Sequence, residues 1–564
     1  MPDSPDRQVT NQVPPLADYD LTAADPALHA DLAAAGTRIT PAIAVLATAA
    51  GSAAIIDNAR LANVHPPVLH THDRSGRRID EVEFHPAWHT LMSRAVGAGL
   101  HGAAWAASAG QHAHLHRAAG FYVWTQTESG HMCPISMTYA AVPVIRQQPA
   151  LADVYGPGLQ STAYDFGLRP ASVKLGLLAG MSMTEKQGGS DVRANTSTAR
   201  AVGGSATAAG EYRLTGHKWF TSAPMNDVFL TLAQAPGGLT CFLLPRVLPD
   251  GELNGLRLVR LKDKLGNRSN ASAEIEYDDA IGWRIGDEGR GVATILQMVT
   301  MTRVDCVLGS AGQMRAALSE AAFYAAHRWA FGRPLAEQPA MSAVLADLAV
   351  ESWASTLTAL RLGELIDRTA GAGAGLGGAS NPDAGAQTQD AALLRLALPA
   401  AKFWVCKRAV PMIAEALECL GGNGYVETFP MARLLRESPL NGIWEGSGTV
   451  SALDAVRALH RSPACADALL TELGVAGGTH PAFDGAVRTL TSLLTADPDP
   501  AAARTVASLT ARLFAAGLLL QHAPPEVAAL YCATRLGGGG DRVFGDLPRG
   551  CRPADIVAAA TPTT

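Results

Sequence analysis

The chain has no C-x-x-C pair: its eight cysteines, at 133, 241, 306, 406, 419, 465, 532 and 551, stand apart. Scattered thiols of this kind read as reduced, cytosolic cysteines. Charge is scarce as well, at 17% of residues, and the balance of −6 gives no whole-chain attraction to nucleic acid. Contact with DNA would therefore need a local basic patch. No apolar run of about 20 residues is free of charge; Arg38 and Arg512 break the best candidates. The N-terminus, rich in Pro and Asp, lacks the basic–apolar–small pattern of a secretory leader. These absences read as a soluble, cytoplasmic protein with no membrane partner.

What is present is apolar bulk. At 564 residues and 48% hydrophobic, the chain exceeds one core and calls for two to four domains. Residues 1–18, with four prolines, read as an extended arm. From 19 to 179 the pattern is Ala-rich and helical, broken at Pro66-Pro67 and by the turn Asp73-Arg74-Ser75-Gly76. Phe84 to His89, with Pro86 near its first turn, predicts a helix start. His112, His114 and His116 lie close together, but a metal site needs more ligands, so surface or core histidines are the simpler reading. Glu128 to Pro134 is a punctuated turn leading into an apolar helical segment.

The period changes over 180–287. Leu239 to Leu244 is an apolar run ended by Pro245, and Ala271 to Tyr277 alternates as a half-buried strand does. Turns at Pro236-Gly237-Gly238 and Pro249-Asp250-Gly251 separate these runs, predicting a small, mostly antiparallel β-domain. Helical spacing returns over 288–460, interrupted by a Gly/Ala-rich insert at 369–389. Gly373-x-Gly375-x-x-Gly378 within it has the dinucleotide spacing. A helix precedes it and no acidic ribose partner on a strand follows, so it reads as a flexible linker. Residues 461–564 form a further helical domain. From 455 onward there are nine Arg, no Lys and nine acids, so any cationic face depends on local clustering of Arg535, Arg542, Arg549 and Arg552.

Chemistry concentrates in Met183-Thr184-Glu185-Lys186-Gln187-Gly188-Gly189-Ser190-Asp191. Adjacent glycines let main-chain N–H groups approach a ligand, Thr184 and Ser190 add donors, and Glu185 and Asp191 can brace the loop. The same composition also suits an ordinary polar turn. Glu445 follows Ile443-Trp444 and precedes Gly446, so an apolar wall could desolvate it and raise its pKa into a base's range. A carboxylate at a helix start is the alternative.

Six segments together resemble the acyl-CoA dehydrogenase superfamily. The loop at 183–191 is similar to MTEP-x-x-GSD, with Lys186 in place of Pro. Gly216-His217-Lys218-Trp219-Phe220-Thr221-Ser222 resembles a flavin-side strand, and Lys262 to Arg268 resembles D-K-x-G-x-R. Arg328-x-x-Phe331-Gly332-x-Pro334-Leu335, Leu420-Gly421-Gly422-Asn423-Gly424-Tyr425 and Ile443-Trp444-Glu445-Gly446-Ser447-Gly448 follow in family order. The forms TEKQGGSDV, GHKWF and IWEGSG are similar to the alkylation-response AidB-like branch.

The resemblance implies a mainly α fold with a central β-domain: an N-terminal helical domain, a small antiparallel β-domain, a C-terminal helical bundle and an extra C-terminal helical domain. It implies FAD as hydride acceptor, since no side chain can take that role. Met183, Thr184, Gly189 and Ser190 would then meet the pyrimidine edge, Trp219 and Phe220 the ring, and Thr221 or Ser222 its N5. Trp in a strand is also a common core residue. Arg328 and Phe331 would reach the FAD of a neighbouring subunit, Gly421, Gly422 and Gly424 its adenine side, and Trp444 and Ser447, on either side of the base, would also contact the cofactor. Arg303 is a candidate substrate contact. An earlier base position used by one variant of the family falls here on Thr302, which leaves Glu445 alone as base. The expected assembly is a homotetramer with shared FAD sites acting on an acyl-CoA or other small molecule. A DNA-associated flavoprotein with little thioester turnover is the alternative.

Overall fold

The computed structural model describes residues 9–106, 111–203, 210–371, 389–495, 499–537, 543–548 and 550–563. The glycine pattern at 373–378 and both Arg542 and Arg549 lie outside the described residues.

The first domain is built from α1 (Pro26–Ala34), α2 (Pro41–Ala50), α3 (Ala53–Val64), α4 (Pro86–Gly97), α5 (Ala113–Thr125), α6 (Met132–Ile145) and α7 (Pro149–Gln160). Local chemistry sets its helix starts. Asp25, Thr40, Ser52 and His85 each accept from an N–H of the following first turn, and Pro26, Pro41 and Pro86 occupy positions where no N–H is needed. Between α3 and α4 the structure adds a hairpin, β1 (Val68–His72) with β2 (Arg78–Glu83), that the helical reading of 19–179 did not foresee. Its turn is the polar Asp73–Gly76 stretch, where Asp73 accepts from the N–H groups of Ser75 and Arg77.

Seven strands form the middle domain: β3 (Ala179–Ser182), β4 (Thr198–Ala201), β5 (Glu211–Ser222), β6 (Val228–Ala235), β7 (Gly238–Pro245), β8 (Leu256–Leu261) and β9 (Ser272–Ile285). Their order is β3-β6-β4-β5-β9-β7, and β7 pairs back onto β6, so the sheet closes on itself with β8 added beside β9. Closure buries β6 and β7 on both faces, which is why Leu239 to Leu244 is apolar without alternation. Pairings are antiparallel except β3–β6 and β4–β6.

The bundle follows: α8 (Gly291–His327), a short hairpin of β10 (Trp329–Ala330) and β11 (Arg333–Pro334), α9 (Pro339–Gly371), α10 (Gln389–Glu418), α11 (Met431–Glu437) and α12 (Gly448–Arg461). The last domain holds α13 (Ala464–Gly474), α14 (Pro481–Thr495), α15 (Ala503–His522), α16 (Pro525–Tyr531) and α17 (Pro553–Ala560). α8, α9 and α15 are long and apolar enough by composition to cross a membrane, but each buries most of that surface inside the protein.

Two buried arginines fasten the ends of the chain to this bundle. Arg315 of α8 donates to the carbonyls of Ala24 and Ala560, at 2.6 and 3.0 Å. Arg535, which the sequence groups with a possible DNA-facing cluster, is fully buried instead. Its guanidinium meets Asp347 at 2.7 Å and Glu351 at 2.9 Å, and Arg408 adds a further contact to Glu351 at 3.0 Å. The two acids of α9 draw it inward, so it contributes no charge to the surface. Arg535→Leu leaves Asp347 without this partner and Glu351 with only Arg408. The expected loss is about 3–5 kcal/mol of stability, read as a lower midpoint in chemical denaturation; a change under about 1 kcal/mol would show that this network does not hold the last domain in place.

Candidate active site

A cavity of about 2550 Å³ lies between the closed sheet, α8 and the α5–α6 corner. Ligand pockets commonly span about 300–1,000 Å³, so this one has room for two molecules at once. Its floor includes α8, where Thr302, Cys306, Gly309 and Gln313 present one stripe at helical spacing.

Glu445 sits in its wall on a tight turn, with φ of +57° at Glu445 and +102° at Gly446. A non-glycine residue in this left-handed region is held there at a cost, and the holders are visible. Arg303 Nε donates to the Glu445 carbonyl at 2.8 Å. Lys402 Nζ donates to the carbonyls of Trp444, at 2.8 Å, and Gly446, at 2.5 Å. Arg303 is itself fixed by Asp454 at 2.6 Å, and Arg395 meets the same acid at 2.8 Å. The carboxylate accepts from the Thr302 hydroxyl at 2.7 Å. Burial pushes the Glu445 carboxyl above its ordinary 4.5; the Thr302 hydrogen bond and the nearby charges of Lys402 and Arg303 pull it back without cancelling the rise.

Opposite lies the 183–191 loop, with Met183, Thr184, Gly189 and Ser190 lining the cavity. A Cβ on Gly189 would stand 2.5 Å from Thr184 Oγ1, so the loop closes on itself only with glycine there. Glu185 is the brace. It is buried, pairs with Lys218 Nζ at 2.8 Å and accepts from Thr196 N at 2.6 Å and Ser197 N at 3.2 Å. Burial alone would raise its carboxyl, but these donors, Lys218 foremost, hold it down at about 2. Asp191 is exposed on the cavity side.

The β5 residues do not keep strict alternation. The β5–β9 register slips between Lys218 and Thr221, inserting one extra residue on β5. Such a bulge re-aims side chains. Phe220 and Ser222 line the cavity, whereas Trp219 lies under the Lys262 ammonium, 3.3 Å from its ring centre, and Thr221 is buried against Ser182. Of the four residues expected beside a flavin ring, Phe220 and Ser222 reach the cavity and Trp219 and Thr221 do not.

Trp444, Ser447 and Arg303 line the cavity with Glu445. Arg303 directs Nε and Nη1 at the turn and Asp454, which makes it a positioning residue here. Arg328, Phe331, Gly421, Gly422 and Gly424 do not join this cavity. Arg328 donates to the Asn11 carbonyl of the N-terminal arm, and Phe331, with φ of +52°, is 97% exposed at the tip of the β10–β11 hairpin. Gly424 packs so tightly that a Cβ would meet the Leu417 carbonyl oxygen at 2.2 Å. Lys402 and Asp454 were not anticipated. A lone lysine inside the apolar stretch Leu396 to Val405 was the available signal for the first; nothing local marks the second.

Three family models match successive parts of the chain. Residues 11–166 match the adaptive response protein AidB N-terminal domain, 180–280 the acyl-CoA dehydrogenase middle domain, and 289–460 the acyl-CoA dehydrogenase C-terminal domain. The AidB protein of Escherichia coli (strain K12) is 43% identical over 530 residues, covering 94% of each chain. Among solved structures, Caenorhabditis elegans ACDH-11 in complex with C11-CoA superposes with a TM-score of 0.81 at 28% identity, over 95% of each chain. An acyl-CoA dehydrogenase complexed with FAD from Bacillus anthracis superposes with a TM-score of 0.63 at 17% identity, over 84% of this chain and 82% of its own, and so attests the fold alone.

The Glu185–Lys218 pair has a pH signature. The carboxyl is held below its ordinary 4.5, so its stabilisation is present above that value and is lost as pH falls towards about 2. Glu185→Gln is expected to cost about 2 kcal/mol near neutrality. The gap between variant and native stability should close between pH 4.5 and 2 in denaturation curves; a gap independent of pH would mean that packing, not charge, holds the loop.

Proposed function

We propose, since the chain belongs to the acyl-CoA dehydrogenase family and to its AidB branch, that it is an FAD-dependent oxidoreductase that desaturates an acyl thioester between Cα and Cβ, with Glu445 as the base. The observation that carries this reading is the Glu445 carboxylate, raised above its ordinary range and aimed into a cavity wide enough for a flavin and a substrate. The ACDH-11 neighbour, solved with C11-CoA, supports a thioester as the substrate class.

FAD fits this cavity by the chemistry of its walls. The glycine-gated loop offers N–H groups and hydroxyls at Thr184, Gly189 and Ser190 to a planar heteroaromatic edge, and Phe220 and Ser222 stand on the adjoining strand. When bound, FAD supplies the acceptor for the β-hydrogen, which leaves as hydride.

The chain's own residues do the rest. Glu445 removes the α-proton onto a carboxylate oxygen. Thr302 holds the other geometry fixed by donating to Oε2, and Arg303 and Lys402 keep the turn from relaxing. Trp444, held by its Nε1 hydrogen bond to Asn441 at 2.9 Å, lines the cavity beside the base, whose burial keeps the carboxylate a stronger base.

The assembly is part of the proposal. Phe331, Tyr425 and Val426 present apolar surface outside the cavity, on the segments where the family's neighbour-subunit contacts fall. A homotetramer with each flavin completed by a second copy accounts for their exposure.

Three variants test this reading. Glu445→Gln should slow bleaching of the visible flavin band by a reactive acyl-CoA by about 10²–10⁴-fold. In the native protein the rate should rise with pH through a pKa above 4.5, because the base acts only when unprotonated. Thr302→Val removes a donor to the charged form and should move that limb to higher pH; an unmoved limb would assign it to another group. Phe331→Asp should lower the mass seen by light scattering together with the flavin absorbance per chain; loss of neither would place the cofactor within one subunit.

A further inference from the structure

Beyond Glu445 the cavity continues along α8, past Cys306 and Gly309, to Gln313. The walls near the base are apolar or small, with Phe121 beside Gly309. The far end is polar. Gln313 is only 2% exposed, and its Nε2 donates to Ser129 Oγ at 2.9 Å, while its Oε1 has no partner. Whichever way the amide is turned, one of its polar atoms is left buried without a partner in the cavity wall. Glu437, also 2% exposed, lines the same cavity; its Oε1 accepts from Asn267 N at 2.8 Å and its Oε2 is unpaired. The two are joined by one polar seam, because Ser269, two residues from Asn267, donates to Glu128 at 2.8 Å, next to Ser129.

Buried polar atoms without partners are costly, and an apolar chain end would leave both unpaired. We propose that the deep end of the cavity is a subsite for a hydrogen-bonding group carried on the far end of the acyl chain, a hydroxyl, which both donates and accepts, being the simplest partner that Gln313 and Glu437 would select. This rests on the dehydrogenase reading and adds which thioesters suit it. Eleven residues separate Thr302 from Gln313, about 16 Å along the helix. The Gln313 side chain leans back towards the N-terminus of α8, and an extended chain advances roughly 1.2 Å per bond, so the matching chain has about eight to twelve carbons.

The test uses the flavin-loaded protein with paired acyl-CoA thioesters of eight, ten and twelve carbons, each unsubstituted or carrying a terminal hydroxyl. Flavin bleaching is followed, and binding is measured separately by anaerobic calorimetry. The hydroxylated chain of matching length should show a KM about tenfold lower than its unsubstituted partner. Gln313→Leu should abolish or reverse that ratio, and Ser129→Ala, which frees the amide to turn, should weaken it; both variants must keep the native visible spectrum to count as folded. An unsubstituted chain that performs as well in the native protein, or a ratio unchanged in Gln313→Leu, overturns the subsite and leaves the dehydrogenase reading intact. Preferential binding of the hydroxylated chain without bleaching upholds the subsite and overturns that reading. Binding of neither overturns both.

Discussion

Two cations hold the turn at Glu445 by its carbonyls, and not by its carboxylate. Had Arg303 or Lys402 paired directly with the acid, the charged form would be favoured and the group would lose its strength as a base. By donating to the carbonyls of Trp444, Glu445 and Gly446, they fix a left-handed backbone that would otherwise relax. The acid itself keeps a hydroxyl partner, Thr302, and stays above its ordinary range. Rigidity and basicity are thereby separated.

That arrangement demands long-range order. Arg303 comes from α8, Lys402 from α10 and Asp454 from α12, so the turn is correct only when the bundle is fully packed. The buried network of Asp347, Glu351, Arg408 and Arg535 locks the last domain onto α9 and α10, and Arg315 ties both chain ends to α8. The extra C-terminal domain therefore supports the scaffold of the site from behind, with Arg535 turned inward.

The opposite wall depends on the closed sheet. Glu185 and Lys218 anchor the glycine loop to β5, and the Trp219 N–H donates to the Thr184 carbonyl at 2.8 Å, so loop and strand move as one. The bulge that follows points Phe220 and Ser222 into the cavity, and it places Trp219 on the outer face.

Much of this was legible in the residues alone. Apolar periodicity marked the bundle helices, the run Leu239 to Leu244 marked a buried strand, and the compositions around Gly189 and Glu445 marked two segments that meet at the cavity. These are local signals, because period, capping and backbone freedom are properties of neighbouring residues. The hairpin at 68–83 escaped because its strands are short and polar. The β5 bulge escaped because an extra residue in one strand is defined only by its partner. Lys402, Asp454 and Gln313 gain their roles from what faces them across the bundle, and Arg535 is paired instead of solvated because α9 offers two buried acids. Such roles are set by the desolvation and pairing of groups far apart in the chain, which exist only once tertiary packing has removed the water between them.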